Sequence, residues 1–279
     1  MLVTNNNLDF FLIARSGQCF RMHAEGDTVF LRTGSRFLTI HDLGQGVLDL
    51  SCTEEEFPFW SHYLDLHGPY ARAIRAIPPE DTYLLSCVSA CRGLHLLRQD
   101  PFETLISFIL SQRKSIPAIE QCVEKLCMLC GETDDSGYAF PTPQALAACT
   151  EEELRGCALG YRAPYVLETA RLVCTSPLPP PNTRLSDEKL LSRLLAFPGV
   201  GIKVASCVLL FAYHRLGSAP VDVWIQRVID RHYGGVNPFP LFRSPSLTRG
   251  FLLYLVWTPC RVSSVQQIRV EQLPAPAAV

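Results

Sequence analysis

The chain has 279 residues, 48% of them hydrophobic and 19% charged, with a formal net charge of −2 at pH 7. That length and apolar content allow a substantial core in one large or two medium domains. No apolar stretch reaches the roughly 20 residues that span a bilayer, and Asn5, Asn6, Asn7 and Asp9 interrupt the start where a secretory signal needs an apolar run, so we expect an intracellular protein with no membrane partner.

Residues 1–93 contain short β-like runs, Phe10 to Ala14, Thr28 to Leu31 and Phe37 to Ile40, broken by Gly17, Gly26, Gly34 and Gly44. We read an antiparallel sheet domain there. Ser51 to Glu56 has the composition of a helix cap, and helical segments follow. From residue 94 to 257 the pattern is helical. Asp100-Pro101-x-Glu103 supplies a cap, an N1 proline and an N3 acid ahead of Leu105, Ile106, Ile109 and Leu110. Thr150-Glu151-Glu152-Glu153 repeats that capping logic, and Pro177 to Pro181 reads as a stiff loop between helices. The tail from 258 to 279 is atypical and expected to be disordered.

The chain contains twelve cysteines and seven histidines. Cys122, Cys127 and Cys130 share one helical pattern with Ile119, Val123 and Leu126, which favours core packing. Cys127-x-x-Cys130 has no second pair at zinc spacing, so we expect neither a metal nor any other cofactor.

The most informative stretch begins at Ser186-Asp187-Glu188, a cap with acids in the first turn, followed by Leu190, Leu191, Leu194 and Leu195 at helical spacing. Pro198-Gly199 stops that helix. Gly199, Val200 and Gly201 then lead into a second helix, read from Lys203 to about His214. The two glycines give access to unusual backbone angles and remove side chains between a ligand and the main chain. Amides exposed at a helix N-terminus bind anions. This is a helix-hairpin-helix plan, which grips a nucleic-acid phosphate without reading sequence; the alternative is a plain helical turn with glycines for tight packing.

Lys203 sits where a cation opposes the helix dipole. A lysine amine is a nucleophile only when neutral, a form that the positive end of a helix favours; the alternative is a solvated or phosphate-pairing lysine. Asp222 follows Pro220-Val221 and precedes Val223, Trp224, Arg227 and Val228 at helical spacing. Its carboxylate can cap that helix, or it can stabilise positive charge on a sugar or move a proton.

Pro198-Gly-Val-Gly-x-Lys-Val-Ala-x-Cys207 with Pro220-Val-Asp-Val223 resembles the helix-hairpin-helix DNA glycosylases. Three further segments, Ser16 to Arg21, Leu96 to Glu103 and Leu159 to Val166, resemble the 8-oxoguanine DNA glycosylase branch and occur in the same order. The resemblance runs from about Leu8 to about Tyr233. It implies an α+β fold, with an N-terminal antiparallel sheet domain packed on a mostly α-helical domain, and base and DNA in the cleft between them.

It also implies that Lys203 displaces the damaged base and forms a Schiff base, with Asp222 as the essential aspartate. Cys207, one helical turn after Lys203, matches a residue that packs against the extruded base. Gly17 matches the glycine whose carbonyl accepts from the N7 hydrogen of 8-oxoguanine, where guanine has only a lone pair. Tyr161 and Arg162 match residues that wedge into the duplex and contact the orphaned cytosine; their plainer roles are a packed tyrosine and a surface arginine. After Ser111 the family has an asparagine-rich run, and here Gln112-Arg113-Lys114 stands instead, with Arg113 as the candidate to fill the gap left by the flipped base. The helix that carries the family's base-reading glutamine and stacking phenylalanine has no clear counterpart, though Phe251, Tyr254 and Trp257 lie in an apolar run that can belong to it.

The implied partner is double-stranded DNA containing an oxidised purine, bound by a monomer in the cytoplasm or nucleoid of a prokaryote. The net charge is unusual for this, but residues 186–279 hold ten basic and five acidic side chains, against seven and eleven in 1–93 and eight and eleven in 94–185. A local basic face suffices for phosphate neutralisation. Two rivals stand beside the bifunctional glycosylase and lyase: a monofunctional 3-methyladenine-type glycosylase using Asp222 and water, and a catalytically impaired protein that binds lesion DNA.

Overall fold

The computed structural model describes residues 1–4, 8–218, 220, 221 and 223–236. Asp222, the run holding Phe251, Tyr254 and Trp257, and the tail from 258 lie outside the described residues. The chain opens with β1 (Leu2–Thr4), α1 (Phe10–Arg15), β2 (Met22–Glu25), β3 (Thr28–Thr33), β4 (Arg36–Asp42) and β5 (Val47–Leu50). The strands form one antiparallel sheet in the order β1-β5-β4-β3-β2, with Met22 opposite Leu31 and Val29 opposite Ile40. Alternation sends Met22, Val29, Leu31, Leu38, Ile40, Leu48 and Leu50 to one buried face.

Phe10 to Ala14 is therefore not a strand. Asp9 Oδ1 accepts from Leu12 N at 2.8 Å and starts α1, and Phe10, Ile13 and Ala14 fall on its buried side. A run of five apolar residues fits a buried strand and a buried helix turn equally well, and the preceding Asp9 cap decides between them. α1 packs on β2 and β3.

Helices follow: α2 (Phe57–Tyr63), α3 (Tyr70–Arg75), α4 (Thr82–Ala90), α5 (Pro101–Leu110) and α6 (Ile116–Cys130). After the small β6–β7 hairpin (Thr133–Asp134, Gly137–Tyr138) come α7 (Pro143–Ala148), α8 (Glu151–Gly156), a 3-10 turn (Gly160–Arg162), α9 (Ala163–Thr175), α10 (Asp187–Leu195), α11 (Ile202–Phe211) and α12 (Val223–His232). The fold is α+β, as expected. Among the described residues no helix is long and apolar enough to cross a membrane, and the cysteines form no disulfide. Cys122 and Cys127 are buried in α6 and Cys130 is half-buried.

All ten residues of α5 are buried, and the helix packs against α6, α9 and α11. Asp100 Oδ1 caps it by accepting from Phe102 N and Glu103 N, both at 2.9 Å. Glu103 turns away from the cap. Its Oε2 accepts from Gly34 N at 3.0 Å and from Thr33 Oγ1 at 3.3 Å, which joins the β3–β4 turn to the helical region. Burial pushes the Glu103 carboxyl up to about 7, against the opposing pull of Arg21 and the Gly34 amide. At Thr150 the capping box forms completely: Thr150 N donates to Glu153 Oε2 at 2.7 Å, and Glu153 N donates to Thr150 Oγ1 at 3.2 Å.

Two glutamines fix the loop after α1. Gln18 donates to His95 O at 2.9 Å and accepts from Leu97 N at 2.8 Å, and Gln99 donates to Gln18 O at 2.7 Å. Gln99 N in turn donates to Phe211 O at 2.9 Å, at the end of α11. The loop that holds Gly17 is thereby tied to the helix that holds Lys203.

Candidate active site and nucleic-acid interface

α10, the turn 196–201 and α11 form the expected helix-hairpin-helix, and the two helices pack on each other. Leu190 and Leu194 are buried, whereas Leu191 is half-buried and Leu195 is 39% exposed, so the apolar stripe is narrower than the four leucines suggest. α11 ends at Phe211 rather than near His214, whose backbone is left-handed (φ 51°) and cannot continue the helix.

The two hairpin glycines differ. Gly199 is left-handed (φ 71°), and a Cβ there would meet the Tyr165 ring at 2.4 Å. Gly201 has an ordinary φ of −92°, so its glycine is not required by backbone angle, which corrects the expectation for that residue. A Cβ on Gly201 would meet nothing within 4 Å, leaving the approach to the helix start open. As the N-cap of α11 it makes no side-chain capping bond, so the first-turn amides are directed outward without a protein acceptor of that kind. The Val200 side chain is buried, which leaves only its backbone for a phosphate.

Lys203 lies in this first turn and is half-buried. Its Nζ sits 5.3 Å from the centroid of the Phe108 ring, a cation–π distance. Phe108 stacks on Phe211 and meets Phe20 edge-on, each at 5.5 Å. Phe20 belongs to the loop that begins at Gly17, where the backbone is left-handed (φ 73°) and buried. One aromatic ring of α5 thus carries the amine on one side and the Gly17 loop on another. Cys207, on the Lys203 face of α11, is 1% exposed.

A second set of loops borders the hairpin. Gln112 Nε2 donates to Gly199 O at 3.1 Å and to Ile109 O at 3.1 Å. Arg162 Nη2 donates to Gln112 O, and Nη1 donates to Leu159 O at 3.2 Å. Arg162 is 6% exposed and is therefore not a surface arginine; its Nε has no hydrogen-bond partner among the described residues. Its guanidinium lies 4.3 Å over the Tyr161 ring, and Tyr161 is 47% exposed. Arg113 is exposed at the tip of its turn with φ 54°. Arg113 and Ala158 (φ 62°) hold left-handed backbones in these loops, a form of strain that concentrates at functional sites, and Gly160 (φ 59°) takes the same conformation without strain.

Sequence reasoning missed Phe108 and Gln112. Phe108 falls within the apolar pattern of α5, so only the contact with Lys203 marks it. Gln112 stands where the family has its asparagine-rich run, and no local signal marks its bond to Gly199, which links positions 87 apart in sequence. Tyr165, whose ring closes on Gly199, lies within Leu159 to Val166, and local pattern gives it no role.

Comparison with known proteins agrees with this fold. The model of the 8-oxoguanine DNA glycosylase N-terminal domain matches residues 1–105, and that of the HhH-GPD superfamily base excision DNA repair proteins matches 106–238. A probable N-glycosylase/DNA lyase of Methanothermobacter thermautotrophicus is 31% identical over 182 residues, 57% of this chain and 58% of that relative. The N-glycosylase/DNA lyase of Saccharomyces cerevisiae is 37% identical over 159 residues, 51% of this chain and 42% of its own length. The matches thus span less than two thirds of these relatives. Among solved structures, the Clostridium acetobutylicum 8-oxoguanine glycosylase/lyase in complex with double-stranded DNA containing cytosine opposite 8-oxoG superposes with a TM-score of 0.83. It is 28% identical and covers 95% of this chain and 98% of that one.

The fold and the hairpin site define a base-excision repair architecture. The chain belongs to the HhH-GPD superfamily, in the branch that carries the 8-oxoguanine DNA glycosylase N-terminal domain.

Proposed function

We propose that this protein excises 8-oxoguanine from duplex DNA and then nicks the strand at the resulting abasic site. The observation that carries the reading is the position of Lys203: first turn of α11, behind an open hairpin, its amine over the Phe108 ring that also packs against the Gly17 loop. The N-terminal domain match and the likeness to a solved 8-oxoguanine glycosylase/lyase support this substrate over alkylated purines.

A base inside the stack is out of reach, so the damaged nucleotide must be extruded. In the proposed reaction the neutral Lys203 amine attacks C1′ as the bond from C1′ to the base breaks, and the departing base takes a proton. Loss of the amine proton and opening of the sugar give an imine between Nζ and C1′. Removal of a C2′ proton then expels the 3′ phosphate, which nicks the strand. Asp222 is proposed to stabilise the developing positive charge and to move protons. Gly17 and Cys207 are proposed to bound the base, with the Gly17 carbonyl accepting from N7–H. Gly199, Val200 and Gly201 are proposed to hold a phosphate, while the exposed Tyr161 and Arg113 face the gap and the opposite base, with the buried Arg162 bracing the Tyr161 ring from behind. Every group in this scheme is a protein group, acting in a monomer wherever the genome is held.

Borohydride trapping on an 8-oxoguanine duplex tests the proposal. A covalent adduct is expected with the wild-type protein and none with Lys203→Gln. An adduct that persists in Lys203→Gln would reject the nucleophile, and base release without strand cleavage would turn the reading to a monofunctional glycosylase.

A further inference from the structure

Lys114 stands in the loop between α5 and α6, one residue after the exposed Arg113, where a cation beside DNA would ordinarily meet phosphate. Its ammonium is instead occupied within the protein. Nζ donates to Ala158 O at 2.9 Å and to Cys122 Sγ at 3.1 Å, and Cys122 Sγ itself donates to Ala158 O at 3.5 Å. The bond to Ala158 joins two loops, one carrying Gln112 and Arg113 and the other leading three residues on to Tyr161, while the bond to Cys122 reaches into α6.

The clamped carbonyl belongs to a residue that does not hold its conformation easily. Ala158 has φ 62° and Gly160 has φ 59°, and a left-handed alanine persists only when its surroundings enforce it. A charge-assisted bond to its carbonyl is such an enforcement. Downstream, Leu159 is fully buried, Arg162 is buried and only Tyr161 projects, 47% exposed. The turn is therefore anchored at Leu159 and Arg162 and pinned at its entry by Lys114, with the Tyr161 ring as the part that reaches outward.

We propose that Lys114 is a positioning residue, whose ammonium on the Ala158 carbonyl holds the turn 158–162 so that Tyr161 is presented to the duplex and the damaged base can be extruded. This rests on the excision activity proposed above. Excision must unpair and unstack a base as the nucleotide is extruded, whereas an abasic nucleotide has no base to unstack on its way to Lys203, so the two activities should separate.

The test compares wild type, Lys114→Met and Lys114→Arg. Single-turnover excision of 8-oxoguanine should slow by about tenfold in Lys114→Met, cleavage of a preformed abasic site should stay within about twofold, and Lys114→Arg should recover most of the loss, since it keeps a donor for the carbonyl. The slope of log affinity against log salt should not change in Lys114→Met; a drop of about one unit would make Lys114 a phosphate contact and overturn the clamp. Hydrogen exchange of the amides 158–162 in DNA-free protein, measured without any catalysis, should accelerate in Lys114→Met and recover in Lys114→Arg. If wild type excises nothing, the activity reading fails while this exchange result still judges the clamp; unchanged exchange overturns it, as does equal loss of both activities in a variant with wild-type thermal stability.

Discussion

α5 and α11 are both ten residues long, lie against each other and are largely apolar, yet they begin in opposite ways. α5 starts behind an aspartate that satisfies two of its amides, and every residue in it is buried. α11 starts behind a glycine with no side-chain cap, followed by Ile202 at 70% exposure and the half-buried Lys203; burial resumes only at Val204. Packing governs both helix bodies, but the first turn of α11 departs from what stability favours, with an open set of amides and a cation that opposes the dipole. The difference teaches where to look for chemistry in this molecule: in the few residues whose placement burial does not explain.

Lys203→Gln should break the comparison most severely, and only on one side. Excision is expected to fall by about a thousandfold or more, while unfolding free energy stays within about 1 kcal/mol, because relief of the dipole conflict offsets the lost contact with Phe108. Rapid-quench kinetics and urea melts on the same preparation check both halves. A variant that unfolds readily would mean that Lys203 is structural.

Next in size is Gly199→Ala. The left-handed φ and the Tyr165 ring 2.4 Å from the added Cβ together should cost about 2–4 kcal/mol. The damage should also reach the second loop set, because Gln112 donates to the Gly199 carbonyl and holds Arg162 through its own. Thermal melts read the first effect and DNA affinity the second; a wild-type melt would show that the hairpin is slack.

Much of this was legible in the sequence, for physical reasons that differ by element. The caps at Asp100 and Thr150 act within three residues of themselves, so local pattern predicts them, and the structure forms both. The hairpin was readable because glycine and proline punctuate strongly. The run from Phe10 to Ala14 misled because apolar alternation is invisible when every residue is apolar, and the single polar residue that decides it, Asp9, lies just outside. Glu103 reads locally as an N3 acid of its own helix, yet it bonds to Gly34 across the fold, and no local rule anticipates a partner 69 positions away. The burial of Arg162 by the Gln112 and Leu159 carbonyls is of the same kind.

Glu103 also supplies a pH test of the wholly buried helix. Its carboxyl is raised from 4.5 to about 7, chiefly by burial, so between those values the folded protein binds more protons than the unfolded chain. Its contribution is therefore fully present below about 4.5 and lost as pH rises through about 7. Glu103→Gln keeps an acceptor for Gly34 N and carries no charge. The variant should be more stable than wild type at pH 8, by on the order of 3 kcal/mol, and the two should converge towards pH 4.5. Urea titrations across that range would refute the claim if the gap stays constant or widens in acid.

The smallest effect sharpens the comparison by making the two helix starts alike. Gly201→Asp gives α11 the kind of cap that α5 has at Asp100. The backbone at Gly201 is already extended (φ −92°, ψ 178°), and a Cβ there meets no atom within 4 Å, so the side chain enters without strain. An N-cap carboxylate accepts from the N2 and N3 amides and suits the positive end of the dipole, and replacing glycine at this position gains a few tenths of a kcal/mol. Those are the amides proposed to hold a phosphate, and the new charge would repel one. Stability should rise slightly while affinity for duplex DNA falls about tenfold or more. If the opposite holds, with DNA affinity unchanged and the melt lowered, the open start of α11 is a packing compromise and the phosphate site lies elsewhere.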